Sequence, residues 1–500
     1  MLARRGYPSL QINFVQFFHT GRSRPDMERG STNRLTPLLP SEDATAAHPA
    51  LVRVFLTVTV VSLGSSFQFG FGQGIVNNLY LILPLDLEKR GGHGLSLFAW
   101  SLVVSGFAVG GLFGSLLATL YASSYGRRTV LHATNVVVVA SSALFMLGTK
   151  WQTVFTARVL CGVVSGVVTA VVPRYFAEIA PARVRGAVGL AHQLGVSAGL
   201  VASLALTTPS LGLLGSNELW RYVFLVPMAL ALIESAVLPL CPESPAYLCR
   251  HAGTATAAEA LSELHPSADA ARELQQMRHA ERRGPSDASR YSVAELLRAP
   301  QLRKQLLVSL VLQLSMQLCG IDALLYYSTL VLSEAGLTDA PLASTCLGAA
   351  NIVTSVLAVS VVDKAGRRTL FLSSLSALCV SYALLAYGLL QGLTALTLVA
   401  MLGVLGAFAI GPGCVAWFII ADIFPPYARD AAMTLGVSLT WLANALLAIA
   451  FPAVYEALGE YTFLLFALAA AASGAFTWRF VPETRGKTSA QIAHAFEMLE

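Results

Sequence analysis

Charged residues are scarce in this chain, since only 12% of its 500 residues are Asp, Glu, Lys or Arg. A soluble globular protein carries about 25% charged residues. The remaining polar surface is too small to cover a water-soluble molecule of this length. Hydrophobic residues make up 55% of the sequence, and the mean hydropathy is +0.63. The composition therefore indicates that lipid surrounds much of the chain.

The signatures of several other protein classes are also missing. The sequence has no nucleophile elbow, phosphate-binding loop or metal-ligand cluster, so we expect no enzymatic activity, cofactor or metal. Its seven cysteines form neither a paired framework nor a Cys-x-x-Cys motif. We therefore interpret them as small core residues. The net charge of +5 does not favour nucleic-acid binding, because the basic residues lie in short groups between apolar stretches.

Apolar stretches long enough to cross a bilayer recur along the chain, at about 20 residues each. The predicted spans are 54–77, 97–121, 129–149, 155–176, 187–208, 221–241, 305–332, 342–362, 369–390, 395–421, 431–453 and 461–481. A polar stretch with short helical patterns at 257–264, 270–281 and 293–297 separates the two sets of six.

This pattern predicts an all-α membrane protein with two six-helix halves and a helical linker. The predicted regions are an N-terminal tail (1–52), the first half (53–241), the linker (242–304), the second half (305–481) and a C-terminal tail (482–500).

Lys and Arg in the short loops predict the orientation of the chain. They concentrate on one side, at Arg127, Arg128, Arg183, Arg185, Lys364, Arg367, Arg368 and Arg429. We therefore expect this side, the linker and both termini to be cytoplasmic. The plasma membrane is the expected location.

The two halves repeat each other. Gly-Arg-Arg at 126–128 recurs at 366–368, and Pro-Glu-Ser at 242–244 recurs as Pro-Glu-Thr at 482–484. Ala-Glu-Ile at 177–179, followed by Arg185, recurs as Ala-Asp-Ile at 421–423, followed by Arg429. Three ordered repeats at nearly one offset indicate two related halves, with a site between them near the membrane midplane.

The repeated charges predict a gate on the cytoplasmic side. Arginines could pair with acids when this gate is shut and separate when it opens, which would bias two conformations. The same arginines could instead only orient the helices, with exposed pairs contributing about 0–1 kcal/mol. The duplication favours the gating interpretation. The residues concerned are Arg127, Arg128, Glu178, Arg185, Glu243, Arg367, Arg368, Asp422, Arg429 and Glu483.

Over residues 52–490 the chain resembles the sugar-porter branch of the major facilitator superfamily, specifically the facilitative glucose and fructose transporters of solute carrier family 2. The matching segments are 126–128, 242–245, 313–328, 366–368, 411–413 and 482–487, with Trp417. Gly-Arg-Arg alone marks only the superfamily, but the combined set is specific. The resemblance implies twelve membrane helices in two pseudo-symmetric halves that carry sugar by alternating access, for which a monomer suffices.

The resemblance also implies which side chains contact sugar. Amides suit this role because each offers both donors and acceptors to sugar hydroxyls. Amides inside apolar spans usually face a bundle interior or a wet cavity, although each could instead join neighbouring helices. Tyr326 and Tyr327 match an aromatic pair of the family's gate. The implied binding residues are Gln193, Gln313, Gln317, Asp322, Asn351, Trp417, Trp441 and Asn444.

Several positions depart from the family pattern. Met316 replaces a binding glutamine, Asp322 replaces an asparagine, and Ala409 replaces a pocket glutamate. Met316 with Asp322 is similar to a branch linked with fructose, whereas the start of the 313–328 run and Trp417 are similar to glucose carriers. We therefore expect both hexoses as substrates.

Proton-coupled members of the resembled family pair an Asp in the first span with an Arg in the fourth. Here the arginine is present as Arg158, but Gly72 stands at the acidic position, and no acid lies between Arg53 and Asp86. This favours a uniporter. Asp322 leaves alternatives open, because it could donate a hydrogen bond to sugar, join a neighbouring helix or bind a coupling proton.

Other functions also fit the sequence. The altered pocket permits a non-hexose substrate such as urate or a polyol, and the protein could be a proton-coupled symporter. A sugar sensor without transport is a further alternative, although such sensors usually carry a long cytoplasmic tail.

Overall fold

A computed structural model describes residues 42–89, 95–181, 184–264, 270, 274–275, 291–362, 366–485, 487, 491–492 and 495–496. These residues form helices joined by short loops, and no β-strand occurs among them. Ten helical stretches in the described part are long and apolar enough to cross a membrane. The prediction of an all-α membrane protein is confirmed.

The helices follow the predicted order. In the first half they are α1 (Glu42–Val61), α2 (Phe67–Lys89), α3 (Leu97–Tyr125), α4 (Arg127–Leu147), α5 (Trp151–Ile179), α6 (Arg185–Thr207) and α7 (Leu225–Val237). The linker contains α8 (Pro245–His251), α9 (Thr254–Leu264) and α10 (Val293–Arg298). In the second half they are α11 (Arg303–Leu318), α12 (Ile321–Glu334), α13 (Ala340–Val362), α14 (Arg367–Leu390), α15 (Thr394–Ile410), α16 (Pro412–Ile423), α17 (Pro426–Leu458) and α18 (Thr462–Phe480).

Every predicted span is helical, but three of them are interrupted. A π-helix at Ser62–Ser66 separates α1 from α2, and Gly411 separates α15 from α16. Gly320, between α11 and α12, has φ +76°, and a Cβ there would lie 2.6 Å from the Phe466 ring. Only glycine accepts this left-handed, crowded position. Unbroken apolar composition hides such breaks from sequence reasoning.

Close helix packing holds the first half together. A Cβ at Gly110 on α3 would lie 2.0 Å from the Val159 carbonyl oxygen on α5, and one at Gly162 would lie 2.0 Å from the Phe107 carbonyl oxygen. The two backbones therefore touch, as small residues allow within a bilayer. This rigid pair presents the other side of α3 to α17, along the boundary between the halves.

The linker packs in two separate places. Arg53 on α1 forms an ion pair of 2.5 Å with Glu263 on α9, and the Tyr291 N–H, just before α10, donates to the Tyr427 carbonyl at 3.0 Å. Helices α9 and α10 coincide with predicted ones, whereas the predicted helix at 270–281 lies largely outside the described residues. Sequence reasoning missed α8. Ser244 caps the start of this helix, and its hydroxyl accepts from the Tyr247 N–H at 3.1 Å.

The repeated motifs occupy equivalent places in the two halves. The Glu243 carboxylate accepts from the backbone N–H groups of Arg127 and Arg128 at 3.0 and 3.2 Å. Glu483 accepts from the backbone N–H of Arg367 at 2.8 Å. These glutamates were predicted as partners of arginine side chains, but the bonds described here cap α4 and α14. A carboxylate suits the positive end of a helix.

We expect Glu243→Ala to lower the free energy of unfolding by about 0.5–2 kcal/mol, the usual effect of losing a helix N-cap. Thermal unfolding of the purified protein in detergent measures this. Glu456→Ala, at an exposed position on α17, is the control. Equal melting temperatures for both variants would contradict the capping role.

Candidate functional site

A buried carboxylate lies at the boundary between the two halves. Asp322 stands in the first turn of α12, directly after the break at Gly320, and is 7% exposed. Its Oδ2 accepts from the Asn444 amide on α17 at 2.6 Å. Its Oδ1 accepts from the Gln73 amide on α2, in the opposite half, at 3.0 Å. The Gln317 side chain, on α11, is buried close to this carboxyl group.

Further amides and hydroxyls surround this carboxylate. Thr440 donates to Gln313 Oε1 at 2.7 Å, and Tyr326 donates to Asn444 Oδ1 at 3.2 Å. Gln313 Nε2 and Gln317 Oε1 are buried without a hydrogen-bond partner among the described residues. Because buried polar atoms are nearly always satisfied, one donor and one acceptor without a described partner are capacity that a ligand or water could use once the site opens. The arrangement can bind a neutral molecule rich in hydroxyl groups.

The structure brings together five of the predicted residues. These are Gln313, Gln317, Asp322, Tyr326 and Asn444.

The other predicted residues lie elsewhere or are less enclosed. Trp441 packs against Phe69 and Phe107, with ring centroids 6.0 and 5.9 Å apart, where α17 meets the first half. Gln193 on α6 is exposed, and Asn351 on α13 is half-buried. The side chains of Trp417 and Arg183 lie outside the described residues.

A row of polar contacts joins α2 to α12 beyond Asp322, and we call it the seam. Asn77 donates to Ser328 at 2.6 Å and accepts from the Thr329 N–H at 3.0 Å. Thr329 also donates to Asn78 Oδ1 at 2.7 Å. All of these side chains are buried. The seam therefore joins the two halves through buried hydrogen bonds.

The second tyrosine of the predicted gate is buried beside the seam. Tyr327 donates to the Ala448 carbonyl on α17 at 3.0 Å and stacks on Phe451 with ring centroids 5.1 Å apart. It therefore links α12 to α17 within one half.

The predicted gating charges form contacts within each half. Arg127 donates to Glu178 at 2.7 and 2.9 Å. Arg185 and Arg429, equivalent by the duplication, donate to backbone carbonyls at 3.2 and 3.4 Å. Asp422 accepts from Thr484 at 3.0 Å.

Two further arginines of the predicted gate, Arg128 and Arg368, also match each other. Arg128 donates to the Pro239 carbonyl at 2.9 Å, and Arg368 donates to the Trp478 carbonyl. Each joins the start of one helix to the last helix of its half.

Arg158 on α5 is a wholly buried cation. Its guanidinium donates to the Gly72 carbonyl, and to the carbonyls of Val103 and Val104 at 3.3 and 3.4 Å. It also lies over the Phe107 ring, 4.7 Å from the centroid. In place of an acid at position 72, backbone carbonyls and an aromatic ring thus contact the Arg158 guanidinium.

Sequence reasoning missed several polar residues in the spans. Gln73, Asn77 and Asn78 were passed over, although each is an amide in an apolar segment. Glu234 on α7 was also missed; it is 1% exposed, and its carboxylate accepts from Ser65 in the π-helix at 2.7 and 3.0 Å. An acid within a predicted span is itself the signal that could have identified it.

Comparison with known proteins identifies the family. The family model "Sugar (and other) transporter" matches residues 57–496. The facilitated glucose transporter member 3 of solute carrier family 2 from mouse is 34% identical over 470 residues, covering 91% of this chain and 94% of the relative. The human member 3 is 33% identical over 466 residues, covering 90% and 92%.

Solved structures agree in fold. The inward-open conformation of the xylose transporter XylE from E. coli superposes with a TM-score of 0.76 at 23% identity, covering 88% of this chain and 99% of that one. The proton:xylose symporter XylE bound to 6-bromo-6-deoxy-D-glucose gives a TM-score of 0.70 at 23% identity, covering 89% and 100%. At this identity the likeness supports the fold alone.

We expect Gly72→Ala to destabilise the protein by about 1–3 kcal/mol, the usual cost of overpacking a core. A Cβ at position 72 would lie 2.5 Å from Cys161 Sγ and 2.9 Å from the Phe107 ring. Thermal unfolding in detergent is the measurement.

Gly189→Ala on α6, where nothing lies within 4 Å of the added Cβ, is the matched control and should be neutral or slightly stabilising. Cys161→Ala should partly rescue Gly72→Ala. A neutral Gly72→Ala would show that the position has room for a side chain.

Proposed function

Because the chain belongs to the Sugar (and other) transporter family, we propose that it is a uniporter that carries hexoses across a membrane by alternating access. The observation that carries this proposal is the cluster around Asp322, which joins amides of both halves and leaves Gln313 Nε2 and Gln317 Oε1 without partners. Sugar hydroxyls both donate and accept, so they suit these two atoms.

The region around Gly72 supports uniport. A carboxylate at this position would have to displace the Cys161 thiol and the Phe107 ring. Arg158 is already bonded to carbonyl oxygens there. The position can therefore hold no protonatable partner for Arg158 without repacking, and sugar would move only down its gradient.

The relatives and two residues of the sequence support glucose and fructose together as substrates. The relatives reported above are facilitated glucose transporters, which favours glucose. Met316 and Asp322 resemble member 11 of the same family, from the fructose-linked branch, which favours fructose. Hexose competition separates this proposal from a urate or polyol carrier, and uptake itself separates it from a sensor.

Alternating access in this proposal uses both ends of the bundle. The seam, with Tyr326 and Tyr327 beside it, is the gate that is closed in this conformation. The arginine motifs with Glu178, Asp422 and the two capping glutamates form the opposite, cytoplasmic gate. Both termini would then be cytoplasmic, in a plasma-membrane protein for which one chain suffices.

Proton-coupled symport is the second candidate, and Glu234 favours it. A charged carboxylate in the centre of a span costs about 2.5–3.5 kcal/mol or more. The described hydrogen bonds of Glu234 come from a serine hydroxyl rather than a cation. A proton on this group would remove the cost, so proton binding could accompany transport.

Proteoliposomes containing the purified protein test the main proposal. We expect labelled glucose and fructose to equilibrate across the membrane at a rate unaffected by an inward proton gradient, because position 72 lacks a carboxylate. Accumulation above equilibrium would contradict uniport. In that case its loss in Glu234→Gln or in Asp322→Asn would identify the coupling group.

We expect Gln317→Leu to raise the KM for hexose uptake by about tenfold or more, because a polar group that matches a substrate hydroxyl is lost. Gln305→Leu, the same change at a buried position on the same helix, is the control and should leave KM unchanged. A similar KM in the two variants would place the substrate elsewhere.

A further inference from the structure

The hydrogen bond between Gln73 and Asp322 differs from the other contacts between the halves. In the seam, the pairs of Asn77, Asn78, Ser328 and Thr329 are neutral. Among the bonds between the halves described above, only the bond from Gln73 has an acceptor that can carry charge, the Asp322 carboxylate. An unsatisfied charged acceptor costs more free energy than a neutral one in a low-dielectric site.

The amide of Gln73 moves with the first half. A Cβ at Gly74, the next residue, would lie 2.4 Å from Ser203 Oγ on α6, and position 72 is packed against α5. The α2 backbone is therefore fixed against its neighbours on both sides of Gln73. Since Asp322 belongs to α12, relative movement of the halves makes or breaks this bond.

The other partners of Asp322 belong to its own half. Asn444 on α17 can remain bonded while the halves move, and Gln317 on α11 stays beside the carboxylate. The acceptor position held by Gln73 is the one that becomes vacant when α2 moves away. A sugar hydroxyl is a hydrogen-bond donor like the amide N–H, so it can occupy the same position.

We propose that Gln73 is a stand-in ligand for Asp322. In the empty carrier its amide donates to the Asp322 carboxylate oxygen that accepts from a sugar hydroxyl in the loaded carrier. This inference rests on the proposed uniport of hexoses. A uniporter completes each net cycle by returning empty, and during that return no sugar is present to satisfy Asp322. The bond from Gln73 stabilises the empty carrier in the conformation described here, and it thereby slows the step by which the empty carrier leaves this conformation.

Net uptake and equilibrium exchange separate the two steps. Net uptake into sugar-free proteoliposomes requires the empty carrier to return, whereas exchange between equal sugar concentrations can proceed with the carrier always loaded. We expect Gln73→Leu to raise the ratio of net uptake rate to exchange rate about tenfold, as fits the loss of a hydrogen bond to a charged group that holds the empty carrier in this conformation.

Gln68→Leu is the matched control. Gln68 lies on the same helix and is buried, but its amide donates to the Pro227 carbonyl inside the first half, at 2.9 Å. This variant should keep the wild-type ratio of net uptake to exchange. A general weakening of α2 would change both variants alike and would overturn the proposal.

Asp322→Asn supplies an independent test through a double-mutant cycle. Without the charge, the vacant acceptor is less costly, so Gln73→Leu should change the ratio less in the Asp322→Asn background. An undiminished effect would overturn the proposal.

Wild-type exchange separates the two levels of inference. If the wild-type protein exchanges hexose and Gln73→Leu leaves the ratio unchanged, the stand-in role is wrong while the proposed function stands. If the wild-type protein exchanges no hexose, both are wrong.

Discussion

Inside a bilayer a polar group that loses its partner finds no water to replace it, and this constraint governs the whole molecule. Arg158 is bonded to backbone carbonyls, and Glu234 to a serine hydroxyl. Asp322 is bonded to side-chain amides. A protein that must change conformation in lipid can therefore use only groups that have a partner in each conformation. The polar residues of the spans are best understood as such exchangeable pairs.

The same constraint explains why the apolar part is rigid. Helices α3 and α5 touch backbone to backbone at Gly110 and Gly162, so this pair of helices moves as one body. Movement is then confined to the boundary between the halves, where the seam and the Trp441 cluster lie. The breaks at Gly320 and Gly411 are the exceptions, and the break at Gly320 places non-helical backbone just before Asp322.

Much of this could be predicted from the sequence, because it depends on local pattern. The spans follow from apolar length, and the related halves from the repeated Gly-Arg-Arg and Pro-Glu-Ser motifs. The capping role of Glu243 could not be predicted. The sequence does not show whether an acid bonds to the side chain of an arginine or to its backbone N–H group. Gln73 and Asp322 are 249 residues apart, and no periodicity connects them. The helix breaks were missed because apolar composition continues through them.

The two capping glutamates have a topological consequence. Glu243 follows the last span of the first half and binds the start of α4, and Glu483 does the same for α14. In each half, the segment after the last helix is thus hydrogen-bonded to the start of an earlier helix. The linker is likewise divided, with α9 attached to α1 and α10 to α17. These described contacts of each half do not cross the link between the halves, so we expect two co-expressed fragments divided between α9 and α10 to assemble with each other.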